Sequence, residues 1–111
     1  GKLLIEYVKN LKILDNYSEF DSSSRDFIKF LEKKIHYPKQ AKKSGKQGRV
    51  FLNFLIDENG NVYNTKILRG VSDDIDKEAI RVVELFKWPK PIYKGEEAIV
   101  SFNAPVKFTL H

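Results

Sequence analysis

The order of signals along the chain predicts an α+β domain, with two helices packed on one face of a small, about three-stranded antiparallel sheet and the C-terminal strand at an edge. Three observations carry that expectation. Apolar residues recur at helical spacing in two separate stretches; an alternating run meets the turn signal Asp57-Glu58-Asn59-Gly60-Asn61; and the last run alternates cleanly but contains Pro105, which has no N–H to donate to a sheet ladder.

Residues 2–14 are densely apolar, and a strand is the favoured reading over a short helix. A polar stretch from Asp15 to Ser24 follows. Ser23-x-x-Asp26 has the form of a capping box and predicts a helix over about 24–35, with Phe27, Ile28, Leu31 and Ile35 on one side and Lys33 and Lys34 in the last turn, where cations suit the helix dipole. Pro38 can open a further helical turn through Ala41, closed by Gly45 and Gly48.

Over 49–56, Val50, Leu52, Phe54 and Ile56 face one way and Arg49, Phe51, Asn53 and Leu55 the other. The Asn-Gly turn then returns the chain as a second strand over 61–69, and the different parity of Val62 and Ile67 implies either a bulge or a strand that changes its buried face. Ser72-Asp73-Asp74 opens the second helix, with Ile75, Ala79, Val82, Val83 and Phe86 as its apolar stripe, and Pro89 and Pro91 end it. In the final strand, over 98–110, Val100, Phe102, Ala104, Val106, Phe108 and Leu110 alternate with Ile99, Ser101, Asn103, Pro105, Lys107 and Thr109. Residues 1–22 read as an N-terminal extension carrying an extra strand, and 23–111 as the domain proper.

At 111 residues and 41% hydrophobic composition, one core is expected. No cysteine is present, which excludes disulfides, Cys-based metal sites and thiol catalysis. No run reaches the 18 or so apolar residues that a membrane helix needs. The net charge of +5 is unevenly placed. Residues 25–50 hold nine cations against two acids, a net of +7, whereas the other 85 residues hold eleven against thirteen, a net of −2.

Catalytic chemistry is hard to assemble. His36 and His111 are the only histidines, and neither has a metal-pair spacing or a triad partner. Asp73, Asp74 and Asp76 are explained by the helix dipole, and Asp57-Glu58-Asn59-Gly60-Asn61 is a turn rather than a calcium loop. Trp88 could stack on a ligand, but a Trp packed between helix end and sheet is the simpler reading. Gly45-x-x-Gly48 among lysines is a weak nucleic-acid signal. No enzyme activity, metal or cofactor is expected. The edge strand is the better candidate, because unpaired main-chain groups can take up an extended peptide as an added strand.

Taken together, Tyr37-Pro38-x-x-Ala41, Gly45-x-x-Gly48-x-Val50, Phe54-x-Ile56-Asp57-x-x-Gly60-x-Val62, Ile67-Leu68-Arg69, Ile75-Asp76-x-Glu78-Ala79, Lys87-Trp88-x-x-Pro91, Gly95 and Pro105-Val106-x-Phe108-x-Leu110 resemble the C-terminal domain of TonB, an energy transducer of the Gram-negative cell envelope. Glu19-Phe20 and Phe27-Ile28-Lys29-Phe30-Leu31 are similar to the preceding segment in one branch of that family, although Asp21-Ser22-Ser23 stands where Pro-Gly-Gly is usual.

The resemblance implies a periplasmic domain that grasps the TonB box of an outer-membrane transporter by strand addition, anchored to the inner membrane by an N-terminal helix outside this sequence and driven by inner-membrane proton-powered motor proteins. The implied peptide site is Ala98, Ile99, Val100, Ser101, Phe102, Asn103 and Ala104, with contacts from His36, Tyr37 and Pro38. Peptidoglycan and a second copy of the chain are further candidate partners under this resemblance. Two other readings stand beside it: a TonB-like interaction domain of a membrane sensor, and a nucleic-acid-binding domain using the basic 25–50 segment, although nucleic acid is not the expected partner.

Overall fold

The computed structural model describes residues 5–8, 11–15 and 21–110, with side chains described from residue 23 onward. Residues 16–20, with Glu19-Phe20, and His111 lie outside the described residues. The elements are β1 (Ile5–Val8), β2 (Leu11–Asp15), α1 (Asp21–Lys34), α2 (Lys39–Lys43), β3 (Gly48–Ile56), β4 (Val62–Arg69), α3 (Asp73–Leu85), β5 (Ile92–Tyr93) and β6 (Glu96–Phe108).

The three antiparallel strands expected from the sequence are β4, β3 and β6. β3 pairs β6 in an unbroken register from Gly48↔Phe108 to Ile56↔Val100, and β4 lies on its other side. The sheet is larger than that, running β1-β2-β6-β3-β4, with β5 pairing β6 at its start. The dense apolar run at the N-terminus forms two strands, and the second adds to β6 in parallel. As a result, β6 lies inside the sheet over Ala98–Ser101, and its outer side is unpaired among the described residues only beyond Ser101. The sequence pattern suggested one strand in this run, not a pair, and held nothing about where it would dock.

Alternation on β3 decides the layers. Val50, Leu52, Phe54 and Ile56 are fully buried against the helices, while Arg49 and Phe51 on the opposite face are exposed. Phe27 of α1 sits at the centre of an aromatic group. Its ring centroid is 5.0 Å from Trp88 and 5.3 Å from Phe86, and Trp88 lies 5.0 Å from Phe102. Such tilted and edge-on pairs add about 0.5–1.5 kcal/mol each beyond burial. Trp88 is a core residue, as the simpler sequence reading had it. In α3, Ile75, Ala79, Val82 and Val83 are buried as expected.

The β3–β4 connection shows why its residues are Asp and Gly. Asp57 Oδ1 accepts the Asn59 and Asn61 N–H groups at 2.9 and 2.8 Å, closing the turn. Gly60 has φ +88, and a Cβ there would stand 2.0 Å from the Trp88 carbonyl oxygen. That space lets Trp88 N–H donate to the Gly60 carbonyl at 2.9 Å, tying the segment after α3 to the hairpin. The bulge expected in β4 is present: the register shifts between Phe51 and Leu52 and again between Asn53 and Leu55, with Asn64 at φ 53. α1 starts at Asp21 rather than near Ser24, so Ser23 lies inside the helix rather than capping it.

Candidate functional site: the outer edge of the last strand

The expected site divides along β6. Ala98, Ile99 and Val100 are buried and Ser101 half-buried, and the outer side of this half is taken by β2, with Lys12↔Ala98, Ile13↔Ile99, Leu14↔Val100 and Asp15↔Ser101 in register. Phe102 is half-buried, Asn103 exposed and Ala104 buried, and these three begin the stretch that continues to Phe108 with no strand on its outer side among the described residues.

Pro105 indicates which residues face outward. It pairs with Phe51 of β3, and a proline is accommodated in a ladder only where its missing N–H points away from the partner strand. Main-chain groups alternate in direction along a strand, so those of Asn103 and Lys107, two residues to either side, also point to the open edge.

α1 overhangs this edge. Ile28 and Leu31 of the helix, Ile35 just after its end, and Pro105 and Val106 of the strand line a groove of about 360 Å3, with Glu32, Arg49 and Lys107 at its rim. Ile28 is 52% exposed, a large apolar side chain left open at the groove. The lining is apolar and the rim carries two cations against one acid.

His36, Tyr37 and Pro38 lie at the far end of β6. The Tyr37 ring meets Phe108 edge-on at 5.7 Å, its hydroxyl donates to the Lys46 carbonyl, and burial pushes its phenol above the ordinary value. The structure therefore brings this loop to the Phe108 end of the strand, away from Ala98.

Glu78 holds the loop there. This carboxylate, 9% exposed, accepts the His36 N–H at 2.6 Å and the Arg81 Nε and Nη2 at 2.6 and 2.8 Å. Arg81 Nη2 also donates to the Lys34 carbonyl at 3.3 Å, joining the end of α1 to the same point. Burial opposes ionisation of Glu78, but the Arg81 hydrogen bond, the His36 N–H and the Arg81 charge outweigh it and hold the carboxyl below its ordinary value. The sequence pattern alone does not reveal this role for Glu78. The available signal was an acid within the apolar stripe of α3, with an Arg three residues on.

On the open face of the sheet, Asn53 Nδ2 donates to Ser101 Oγ at 2.9 Å and to Asn103 Oδ1 at 2.8 Å, fastening β3 to β6 where the outer neighbour ends. Among the described residues, no group of three or more His, Asp or Glu is placed to hold a metal ion. Among them, too, no helix is long and apolar enough to cross a membrane.

A family model described as "Gram-negative bacterial TonB protein C-terminal" matches residues 33–110. A Protein TonB of Xanthomonas campestris pv. campestris is 32% identical over 76 residues, which is 68% of this chain and 34% of that protein, so the chain spans about a third of the curated relative's length. Among solved structures, the Helicobacter pylori TonB C-terminal domain superposes with a TM-score of 0.68 at 24% identity, covering 86% of this chain and 84% of that one. The Pseudomonas aeruginosa TonB C-terminal domain gives 0.53 at 21% identity, covering 69% and 81%. These two structural likenesses concern the fold.

Proposed function

Because the chain belongs to the TonB C-terminal domain family, we propose that it captures an extended segment of an outer-membrane transporter, the TonB box, as an added strand on the outer edge of β6. In this reading the domain is an interaction module rather than an enzyme. It works in the periplasm, and an inner-membrane anchor and proton-driven motor pull on the chain so that the transporter's plug is remodelled.

The observation that carries the reading is the open stretch Phe102–Phe108, where Asn103 and Lys107 direct main-chain groups outward and α1 supplies an apolar groove alongside. Each main-chain bond contributes about 0.5–1.5 kcal/mol, so a few of them give a modest, reversible grip. The groove supplies side-chain selection, as in other strand-addition sites. In this reading docking centres later along β6 than Ala98–Ala104, overlapping it at Phe102–Ala104 and reaching Tyr37 at the far end.

The test uses Asn103→Pro and Lys107→Pro. Each removes an outward N–H while the β3 ladder keeps its donors, as Pro105 already does. Affinity for a synthetic TonB-box peptide, measured by calorimetry, should fall about tenfold or more, the equivalent of about 1.4 kcal/mol. The amide spectrum of the core should stay in place. Unchanged affinity in both folded variants refutes the edge as the site.

A further inference from the structure

The outer edge of β6 already holds a strand. β2 lies on Ala98–Ser101 in parallel over four register pairs, and β1 covers its far side from Ile5↔Leu14 to Val8↔Leu11. On the face opposite the helices, Ile99, the partner of Ile13, is 3% exposed, whereas Asn103, Pro105 and Lys107 further along are exposed. Burial on that face thus stops where β2 stops.

Resting on the reading of β6 as a peptide edge, we propose that the β1–β2 hairpin is a built-in competitor for the same main-chain groups. It occupies the first half of the edge and confines an incoming segment to Phe102–Phe108 until it is displaced. Two features make it displaceable. Its attachment to β6 is a short parallel pairing, the weaker kind per residue. A lone two-stranded hairpin is itself marginally stable, so little is gained by its staying folded once it leaves. Peptide and β2 cannot both pair with Ala98–Ser101, and the affinity of the full edge is therefore scaled by the fraction of time the hairpin is away.

The experiment locks and releases the hairpin in the whole chain. Asp15→Cys with Ser101→Cys pairs two register partners, whose separation across a sheet of about 4.8 Å lies within the disulfide range, in a chain with no other cysteine. Ile13→Pro and, separately, Lys12→Pro with Leu14→Pro remove β2 donors of both alternations. With a synthetic TonB-box peptide as the probe, the release variants should bind about tenfold tighter than the original chain, the result for a site free one time in ten. The oxidised double-cysteine variant should bind at least about tenfold more weakly than its own reduced form.

Equal affinity of the oxidised and reduced forms overturns the proposal, and that comparison decides alone if the proline variants fail to fold. Asn103→Pro separates the two readings. If it abolishes binding while the lock has no effect, the edge stands and the competition falls. If it too has no effect, the edge itself is wrong.

Discussion

Glu78→Gln tests whether one carboxylate holds the Tyr-Pro loop at the end of β6. Gln can still accept the His36 N–H, but it offers Arg81 a neutral amide in place of a bidentate carboxylate. Hydrogen bonds to charged groups are worth about 1.5–3 kcal/mol against about 1 for neutral ones. Arg81 is 44% exposed and regains water when released, so the two lost charge-assisted contacts cost about 1–2 kcal/mol at pH 7. For a domain near 100 residues that lowers Tm by roughly 5–15 °C.

The sign of the pH dependence follows from the direction of the shift. A carboxyl held below its ordinary value of 4.5 contributes stability that is fully present above that value and lost as pH falls through the lower folded value. The gap between the original chain and Glu78→Gln should therefore be open at pH 7 and smaller at about pH 3, below the ordinary carboxyl value. Urea unfolding followed by the fluorescence of Trp88, the only tryptophan, reads it directly. A gap of equal size at both pH values, or no gap at pH 7, refutes the role assigned to the Glu78 charge.

Gly60→Ala should cost about 2 kcal/mol or more, combining the left-handed backbone penalty with loss of the Trp88-to-Gly60 bond; a red-shifted Trp88 emission in the folded state would show the segment lifting. Phe27→Ala removes the ring at the centre of the aromatic group and should cost about 3–5 kcal/mol in urea unfolding. The basic segment from Arg25 to Arg49 should act on encounter rather than grip, so association with an acidic partner slows with added salt while dissociation changes little, a split readable by stopped flow.

The layers were legible because burial and period coincide. Val50, Leu52, Phe54 and Ile56 alternate as β3 requires, and Ile75, Ala79, Val82 and Val83 recur as α3 requires. Turn chemistry at Asp57 and Gly60 and the parity change between Val62 and Ile67 were equally local, and each fixed a feature that the structure contains. Pro105 pointed to an outer side that is unpaired among the described residues, but over the second half of β6 only. Strand partners are long-range information: β2 and β6 are more than eighty positions apart, and neither carries a pattern naming the other. The role of Glu78 escaped for the same reason, since His36 lies 42 residues away.

The two groups of residues expected to form one site cannot be spanned by a short segment confined to the first half of β6. From Ser101, the last residue under β2, to Phe108, which the Tyr37 ring meets edge-on, the strand advances seven residues, about 23 Å at the usual rise. A segment paired only with Ala98–Ser101 leaves His36, Tyr37 and Pro38 untouched. A segment laid along Phe102–Phe108 reaches both the groove under α1 and the Tyr37 end. The position of the Tyr-Pro loop, fixed by Glu78 and Phe108, thus favours the later half of the strand independently of β2. The only ladder position there without an N–H is Pro105, which leaves Asn103 and Lys107 as the flanking donors on which a docked strand must depend.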